Sequence, residues 1–276
     1  MLQGFAILII SHGRPNEAIT EEKLRGGGYT GRIIYVLDEL DSTLEDYYKK
    51  HDCNDIYVFS KMFEARHSDR MDNFQEMRAT LFARNICWQV ARELGLESFC
   101  VMDDDYYYFG HRGPQGAKKT LHLDDIFEWF VDYLKATPIK CLAFSQGGDH
   151  IGGYNEDVVC KRKMMNSFIC LTSRPFKFYG MMNDDVNAYL RNGMVGDIYL
   201  TYMAMQLDQV DTQQGGGGLT EAYQAAGTYR KSFYSVMIAP SCVSIKLMGE
   251  KSPRLHHSIN WVASVPMIIS ETYKKH

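Results

Sequence analysis

The chain has 276 residues, a length that one large α/β domain, or one domain with an added lobe, would account for. Hydrophobic residues make up 45% and aromatic residues 13% of the sequence, which is enough for a sizeable core and excludes a disordered protein. The 30 Lys and Arg residues against 34 Asp and Glu residues give a net charge of −4. This charge argues against a protein held to polyanions by its overall field.

Membrane and disulfide-rich classes are also disfavoured. No apolar run approaches the roughly 18 residues of a membrane span, and the segment MLQGFAILIISHGR lacks the basic start and cleavage site of a signal peptide. The seven cysteines are odd in number and form no C-x-x-C pair, which argues against a disulfide framework or a structural zinc site. We therefore expect a cytoplasmic protein without a membrane partner, in which most cysteines are buried.

The first hundred residues alternate between continuous apolar runs and amphipathic segments. Asn16 can cap the first helix, and Ser42 with Glu45 has the spacing of a capping box for the second. This β-α-β-α-β-α-β order is typical of an open, mostly parallel sheet flanked by helices. We predict strands at residues 5–10, 32–37, 56–59 and 98–102, and helices at 17–24, 42–50 and 73–94.

The second half is less regular and predicts an α+β continuation of the same domain. Residues 112–119 (RGPQGAKK) and the Gly-rich segments SQGGDHIGG and TQQGGGG are predicted to be loops. Residues 124–136 are predicted to form a helix and residues 139–145 a strand, and Asn183 and Gly193 can begin and end a short helix over NDDVNAYL. We treat residues 1–276 as one domain with halves at 1–110 and 111–276.

Three consecutive carboxylates, Asp103, Asp104 and Asp105, follow the last apolar strand of the first half. Adjacent like charges repel unless a cation meets them. Because side chains alternate along an extended segment, Asp103 and Asp105 share one side and could hold one hard cation. The alternative is a solvated acidic turn, but the position at the end of a strand favours a metal or nucleotide site.

Arg84 lies on the apolar stripe of the helix at 73–94, where a guanidinium requires an anion. A carboxylate such as Asp38 would make a structural ion pair, whereas a diphosphate would make a ligand contact, and the spacing leaves both open. Asp38 ends a buried strand and could contact a base or ribose, or cap the next helix.

These residues resemble the nucleotide-sugar half of a GT-A glycosyltransferase. The resemblance rests on a buried strand with S-x-x-R after it, a strand ending in Asp38, a helix carrying Ala83-Arg84-Asn85, and a strand ending in the three aspartates. Asp38 is followed by Glu39-Leu40 instead of the Asp-Gly-Ser common elsewhere, which is a departure from the family pattern.

The remainder resembles the phage and base J-associated DNA glycosyltransferases, which are associated with TET/JBP-type pyrimidine oxygenases. The resemblance implies a GT-A-like fold and transfer of a sugar, most simply glucose, from a UDP-sugar to the hydroxyl of a 5-hydroxymethylpyrimidine in DNA. The segments that carry it are QGGDHIGG, RKMMNSF, NDDVNAYL, TQQGGGGLTEAY, GTYRKSFYSVM, PSCVSIK and RLHHSINW.

The resemblance also implies roles for particular residues. The residues that would hold the nucleotide sugar are Ser11, Arg14, Asp38, Arg84, Asp103 and Asp104. The ligands of a Mn²⁺ or Mg²⁺ ion would be Asp103, Asp105 and either His256 or His257. Two ordinary histidines, at the surface or with their hydrogen bonds satisfied within the protein, remain the alternative for the His pair.

A transferase also needs a base for the acceptor hydroxyl. Adjacent helical residues point about 100° apart, so one of Asp184 and Asp185 can face the donor; Asp185 is preferred because Tyr189 shares its face and could line the acceptor pocket. Alternatively, both carboxylates simply complement the helix dipole.

Cations mixed with aromatic residues are candidates for DNA contacts, although YRKSFYS could equally be a half-buried strand. These candidates are Lys161, Arg162, Lys163, Arg230 and Lys231. Two other functions stay open, namely a GT-A enzyme with a protein or glycan acceptor, and a non-catalytic DNA-binding or nucleotide-binding module.

Overall fold

The computed structural model describes residues 2–71, 77–120, 122–150, 158–160, 164, 167–210, 230–248 and 253–264. Its centre is a ten-stranded mixed sheet, and a separate two-stranded antiparallel ribbon follows in the last part of the chain. The strands are β1 (Phe5–Ile10), β2 (Arg32–Asp38), β3 (Ile56–Phe59), β4 (Ser98–Asp103), β5 (Tyr106–Gly113), β6 (Gly116–Lys119), β7 (Cys141–Ser145), β8 (Val158–Val159), β9 (Ser167–Leu171), β10 (Tyr199–Gln209), β11 (Val243–Met248) and β12 (Arg254–Ile259).

Helices cover both faces of the sheet. They are α1 (Thr20–Gly26), α2 (Leu44–Lys50), α3 (Lys61–His67), α4 (Thr80–Glu93), α5 (Leu123–Ala136), α6 (Asp184–Gly193), α7 (230–238) and α8 (Trp261–Ser264), with short 3₁₀ turns at Cys53–Asp55 and Gly147–His150. Within the described ranges, no helix is both long and apolar enough to span a bilayer.

Four parallel strands form the first half of the sheet, in the order β3-β2-β1-β4. All six residues of β1 are buried, which is why its sequence is continuously apolar instead of alternating. The four predicted strands of this half are confirmed, and so is the prediction of an open α/β sheet flanked by helices. Because these strands are parallel, the polar residues that follow them meet at one edge.

The second half of the sheet mixes directions. Strand β9 is antiparallel to both β4 and β7, and β10 is parallel to β7. Strands β7 and β10 therefore run in the same direction as β4, and their carboxyl ends also lie at the edge where the three aspartates are. The sheet continues from β10 to β5 and β6 through antiparallel pairs.

Several local predictions were wrong. Residues 112–119, predicted to be a loop, form the end of β5, the turn and all of β6 in a β-hairpin. The hairpin is extended into the sheet because β5 also pairs with β10, which is distant in sequence. The segment before α4 contains α3, and α4 itself begins at Thr80, later than its apolar stripe indicated. Ile19, not Asn16, precedes α1, and the side chain of Thr43 before α2 makes no capping hydrogen bond.

Two clusters of buried hydrophobic side chains fill the two faces of the sheet. One cluster includes α4 and α6 and the other includes α5 and Tyr47 of α2. Among the cysteines, five are buried, Cys53 is exposed and Cys160 is partly buried, as expected for small apolar side chains. Packing on both faces of the sheet holds the ends of its strands in place.

Candidate active site

The three aspartates span the end of β4 and the turn into β5, and their side chains separate into different surroundings. Asp104 is buried, accepts a hydrogen bond from the Ser11 hydroxyl, and lies 2.6 Å from Nη2 of Arg14. Asp103 instead faces Arg84. The turn is held by Thr20, whose hydroxyl donates to the Asp103 carbonyl at 2.8 Å and accepts from the Tyr106 amide at 2.9 Å.

The electrostatics of these aspartates favour a cation. Burial, together with the charges of Asp103 and Asp104, raises the pKa of Asp105 to about 7. Burial also raises the pKa of Asp104 to about 6, even though Arg14 and Ser11 favour its charged form. One carboxylate oxygen of Asp105 is buried without a hydrogen-bond partner in the described part of the chain. A bound cation would satisfy that oxygen and stabilise both charges.

The residues fit a metal that is completed by substrate. Across the residues that can be described, no group of three or more His, Cys, Asp or Glu side chains is arranged to hold an ion. Asp103 and Asp105 would therefore provide two carboxylates, and phosphate oxygens of the substrate would provide further ligands. Mg²⁺ is commonly bound in this manner, through one or two carboxylates plus substrate phosphates.

Asp38, at the carboxyl end of β2, lies between His12 and Lys61. Its Oδ2 atom lies 2.7 Å from Nδ1 of His12 and 2.8 Å from Nζ of Lys61. Burial would raise the pKa of Asp38, but the hydrogen bonds and charges of His12 and Lys61 outweigh burial and lower it. The carboxylate is thus held by the protein itself, and the half-exposed ring of His12 is the group turned toward solvent.

Three residues at this site, His12, Lys61 and Tyr47, were not predicted from the sequence. His12 is the second residue after β1 and Lys61 the second after β3, so their positions after parallel strands were the available signal. Tyr47 comes from α2 and lies with its hydroxyl 2.6 Å from that of Ser11. The departure at Glu39 also has a structural reason, since its carboxylate accepts hydrogen bonds from residues at the start of α3.

Arg84 connects the two halves of the chain. This side chain is buried; its Nη1 donates to Oδ2 of Asp184 at 2.8 Å, and its Nη2 donates to Oδ1 of Asp103 at 3.2 Å. Burial would lower the pKa of Arg84, but Asp184 and Asp103 outweigh it and raise this pKa. The anion beside Arg84 is therefore supplied by carboxylates, of which Asp184 was not among those anticipated for this role.

Helix α6 places both Asp184 and Asp185 in its first turn, and both are buried. Every residue of the helix except Arg191 is buried, so exposure does not distinguish the face of Asp185 from that of Asp184. Tyr189 packs in the core with its hydroxyl bonded to the carbonyl of Cys160, and the prediction that it lines an acceptor pocket was wrong.

Asn183 joins the start of α6 to the last part of the chain. Its backbone is left-handed, with φ of 54°, and its side chain does not cap the helix as predicted. Instead, its amide donates to the Lys231 carbonyl at 2.8 Å and lies 3.2 Å from Nδ1 of His257. The buried His257 and α7 are thereby brought beside the pair of acids on α6.

The remaining predicted residues divide into three groups. His256 neighbours His257 on β12, with Nδ1 2.7 Å from the His257 carbonyl. Arg230 is at the start of the described part of α7, over the ring of Tyr234. Lys161, Arg162 and Lys163 lie outside the described residues. The structure thus forms two adjoining groups, which meet where Asp103 and Asp104 are consecutive in the chain. One consists of Ser11, Arg14 and Asp104, and the other of Asp103, Arg84 and Asp184.

The comparisons with known proteins agree with an enzyme that transfers sugars: the chain is a glycosyltransferase by class. It belongs to the family described as TET-Associated Glycosyltransferase, whose model matches residues 5–218. The matched region contains the three aspartates, Arg84, Asp184 and Asp185. A comparison with curated proteins found no match.

Solved structures show more distant similarity. GalNAc-T7 with UDP, GalNAc and Mn²⁺ is 9% identical with a TM-score of 0.47, over 75% of this chain and 44% of that one. Glucosyl-3-phosphoglycerate synthase from Mycobacterium tuberculosis is 11% identical with a TM-score of 0.44, over 95% and 89%. S. aureus TarS is 12% identical with a TM-score of 0.42, over 83% and 43%. The chain thus spans less than half the length of the first and the last of these proteins, and similarities at this level carry no argument about function.

Proposed function

We propose that the protein transfers a hexose, most simply glucose, from a UDP-sugar to the hydroxyl of a 5-hydroxymethylpyrimidine in DNA. The observation that carries this proposal is the group of three aspartates at the carboxyl end of β4, in which Asp105 has a buried oxygen without a partner among the described residues. Asp103 and Asp105 would hold a Mn²⁺ or Mg²⁺ ion together with phosphate oxygens of the substrate. Neither His256 nor His257 is grouped with these two aspartates in the described part of the chain, so the expected histidine ligand is not part of this proposal.

The donor half of the reaction uses the residues around β1 and β2. When bound, the metal stabilises the negative charge on the leaving diphosphate. Arg14 is partly exposed beside Asp104 and can extend a cation toward the phosphates, while His12, oriented by Asp38, offers a ring nitrogen to the nucleotide. The bond from the anomeric carbon to the diphosphate breaks, and UDP leaves with the bonding electrons.

The acceptor half requires removal of one proton. On α6, Asp184 accepts hydrogen bonds from Arg84 and Thr80. Asp184 is therefore a positioning residue, and Asp185 is our candidate for the base that takes the hydroxyl proton as the new bond to the anomeric carbon forms. Asp185 is close enough to Arg84 for its charge to raise the pKa of the Arg84 guanidinium.

DNA as the acceptor is supported by the family's association with TET enzymes and by the cations near α6. Lys231 lies in the first described turn of α7, and its carbonyl accepts a hydrogen bond from Asn183, two residues before the proposed base. Local cations of this kind can contact phosphates even though the whole chain is acidic.

The test is incubation of the protein with Mn²⁺, a panel of UDP-sugars and DNA that contains hydroxymethylcytosine or hydroxymethyluracil, followed by mass spectrometry of the nucleosides. Unmodified DNA is the matched control. We expect one hexose on the modified nucleoside and none on the control. Sugar-nucleotide turnover without DNA product would indicate a protein or glycan acceptor, whereas salt-dependent DNA binding without turnover would indicate a binding module.

A further inference from the structure

We propose that a polar cluster on β5, β7 and β10 recognises the hydroxyl groups of the transferred sugar. The inference rests on the proposed use of a sugar nucleotide and assigns one part of that donor to residues that have not so far been given a role. The members of the β10 polar cluster are Arg112, Gln146, Gln206, Asp208 and Gln209.

The strand that carries most of the cluster, β10, ends beside Asp105. The amide of Val210, at the end of β10, donates to the Asp105 carbonyl at 3.2 Å, and Gln209 pairs with Tyr106 in the strand register. Asp103 and Asp105 would hold the diphosphate through a metal, and the sugar is bonded directly to that diphosphate. Polar side chains close to Asp105 are therefore within reach of the sugar. The nucleotide lies toward β1 and β2, so β7 and β10 remain for the sugar.

Hydrogen bonds within the cluster fix the carboxylate of Asp208. Nη1 of Arg112 donates to Oε1 of Gln206 at 2.9 Å, and Nε2 of Gln206 donates to both carboxylate oxygens of Asp208 at 2.9 Å. The Gly147 amide also donates to Oδ1 of Asp208, at 3.3 Å. Gln206 is buried whereas Asp208 is partly exposed, so the network supports a carboxylate that ligands can reach.

The cluster matches the chemistry of a pyranose. Each sugar hydroxyl both donates and accepts, and the cluster offers a carboxylate that only accepts, a guanidinium that only donates, and carboxamides that do both. Within the described chain, the Tyr108 hydroxyl and Nε of Arg112 are buried with no hydrogen-bond partner. These side chains therefore offer hydrogen-bonding atoms that the network itself does not use.

A purely structural role would be to fasten the turn Gly147–His150 to β10. The two roles differ in what a mild substitution changes. Asp208→Asn keeps the size of the side chain and can still accept from the Gly147 amide, but it removes a charged acceptor for a hydroxyl. Asp149→Asn is the matched control, because Asp149 accepts from the Gln146 amide in the same turn and lies outside the cluster.

The experiment measures dissociation constants by calorimetry with Mn²⁺ for UDP, UDP-glucose, UDP-galactose and UDP-N-acetylglucosamine. For the UDP-hexose that wild type binds best, we expect Asp208→Asn to increase the ratio of its dissociation constant to that of UDP by about tenfold, with UDP binding unchanged. Asp149→Asn should leave the ratio unchanged.

Three results would overturn the assignment. An unchanged ratio in Asp208→Asn, with UDP still bound, would contradict the sugar site alone and leave the proposed function in place. The same change in Asp149→Asn would indicate that only the turn is affected. Failure of wild type to bind UDP would contradict the donor class, and with it both proposals.

Discussion

The guanidinium of Arg84 lies 2.8 Å from the carboxylate of Asp184, across a separation of 100 residues in the chain. The same guanidinium also contacts Asp103, so one buried cation neutralises carboxylates from both halves of the chain. The contact links the proposed metal-binding strand to the helix that carries the proposed base. Its removal should therefore affect stability as well as catalysis.

Replacement of Arg84 tests this link. Arg84→Met should lower the free energy of unfolding by about 3–5 kcal/mol, because buried carboxylates lose their cation. Arg84→Lys should recover part of the loss but not the paired contacts, since an ammonium cannot reproduce the fork of a guanidinium. Urea denaturation measures both. Arg92→Met, at an exposed position of the same helix, is the control, and an equal effect there would contradict the assignment.

Asp38 predicts a dependence of stability on pH. Its pKa is lowered in the folded protein, so the stability it contributes is present above its ordinary pKa of 3.8 and is lost as the pH falls below that value. At pH 7, Asp38→Asn should cost about 2–4 kcal/mol, because the buried Lys61 keeps its charge without a full partner. The difference from wild type should start to shrink as the pH falls below 3.8 and approach zero below the lowered pKa of the folded state, as followed by urea denaturation at each pH. Asp132→Asn, at an exposed site, should show neither effect; a pH-independent cost at Asp38 would exclude an ionic role.

Asp105 predicts the response to metal. Asp105→Asn should reduce transferase activity by at least about 100-fold and abolish the rise in melting temperature that Mn²⁺ and UDP give to wild type. Asp104→Asn should retain more activity, but it should weaken the contacts with Ser11 and Arg14 and lower the melting temperature. Near wild-type activity of Asp105→Asn in excess metal would show that the metal is held elsewhere.

The two acids on α6 should separate in kinetics. Asp185→Asn should lower kcat with DNA by about 100- to 10,000-fold while donor affinity is kept, as expected for a general base. Asp184→Asn should instead lose about 1–3 kcal/mol of stability, because Arg84 loses a charged partner. Rapid-quench kinetics and urea denaturation distinguish the two. If both variants remain fast, neither residue is the base.

DNA binding predicts a dependence on salt. Replacing Arg230 and Lys231 together with Gln should reduce the slope of log affinity against log salt by about 0.9 for each DNA phosphate that these cations neutralise in wild type. Fluorescence anisotropy with hydroxymethylated duplex DNA measures the slope. Lys49 and Lys135, which are exposed elsewhere, provide a double variant of equal charge change. Equal slopes in wild type and the α7 variant would direct attention to Lys161, Arg162 and Lys163.

The first half of the site was predictable because its signals are local. Each buried parallel strand reads as an apolar run, and the polar residue that follows it lies at the shared edge; Ser11, Asp38 and Asp103 were found in this manner. The partners of these residues were harder to find, since Lys61 follows a short, partly buried strand in a segment without clear periodicity.

Less of the second half of the site could be predicted from the sequence. The choice of Asp185 over Asp184 relied on the face that Asp185 shares with Tyr189, but nearly all of α6 is buried, and Tyr189 belongs to the core. Likewise, the hairpin of β5 and β6 depends on pairing between Tyr108 and Asp208, a contact that no local pattern indicates. Both features depend on contacts between residues that are distant in sequence, and hydrophobic periodicity does not indicate such contacts.

The order of strands in the sheet constrains how the protein is made. Strands β4 and β5 are consecutive in the chain, yet β9, β7 and β10 lie between them in the sheet. During synthesis, β5 therefore leaves the ribosome long before β10, with which it pairs, and one edge of β4 stays unpaired until β9 has been made. Such non-local pairing folds slowly and leaves unpaired backbone exposed to other chains. Low temperature or chaperone co-expression should matter more for the yield of this enzyme than its charge and hydrophobic content indicate.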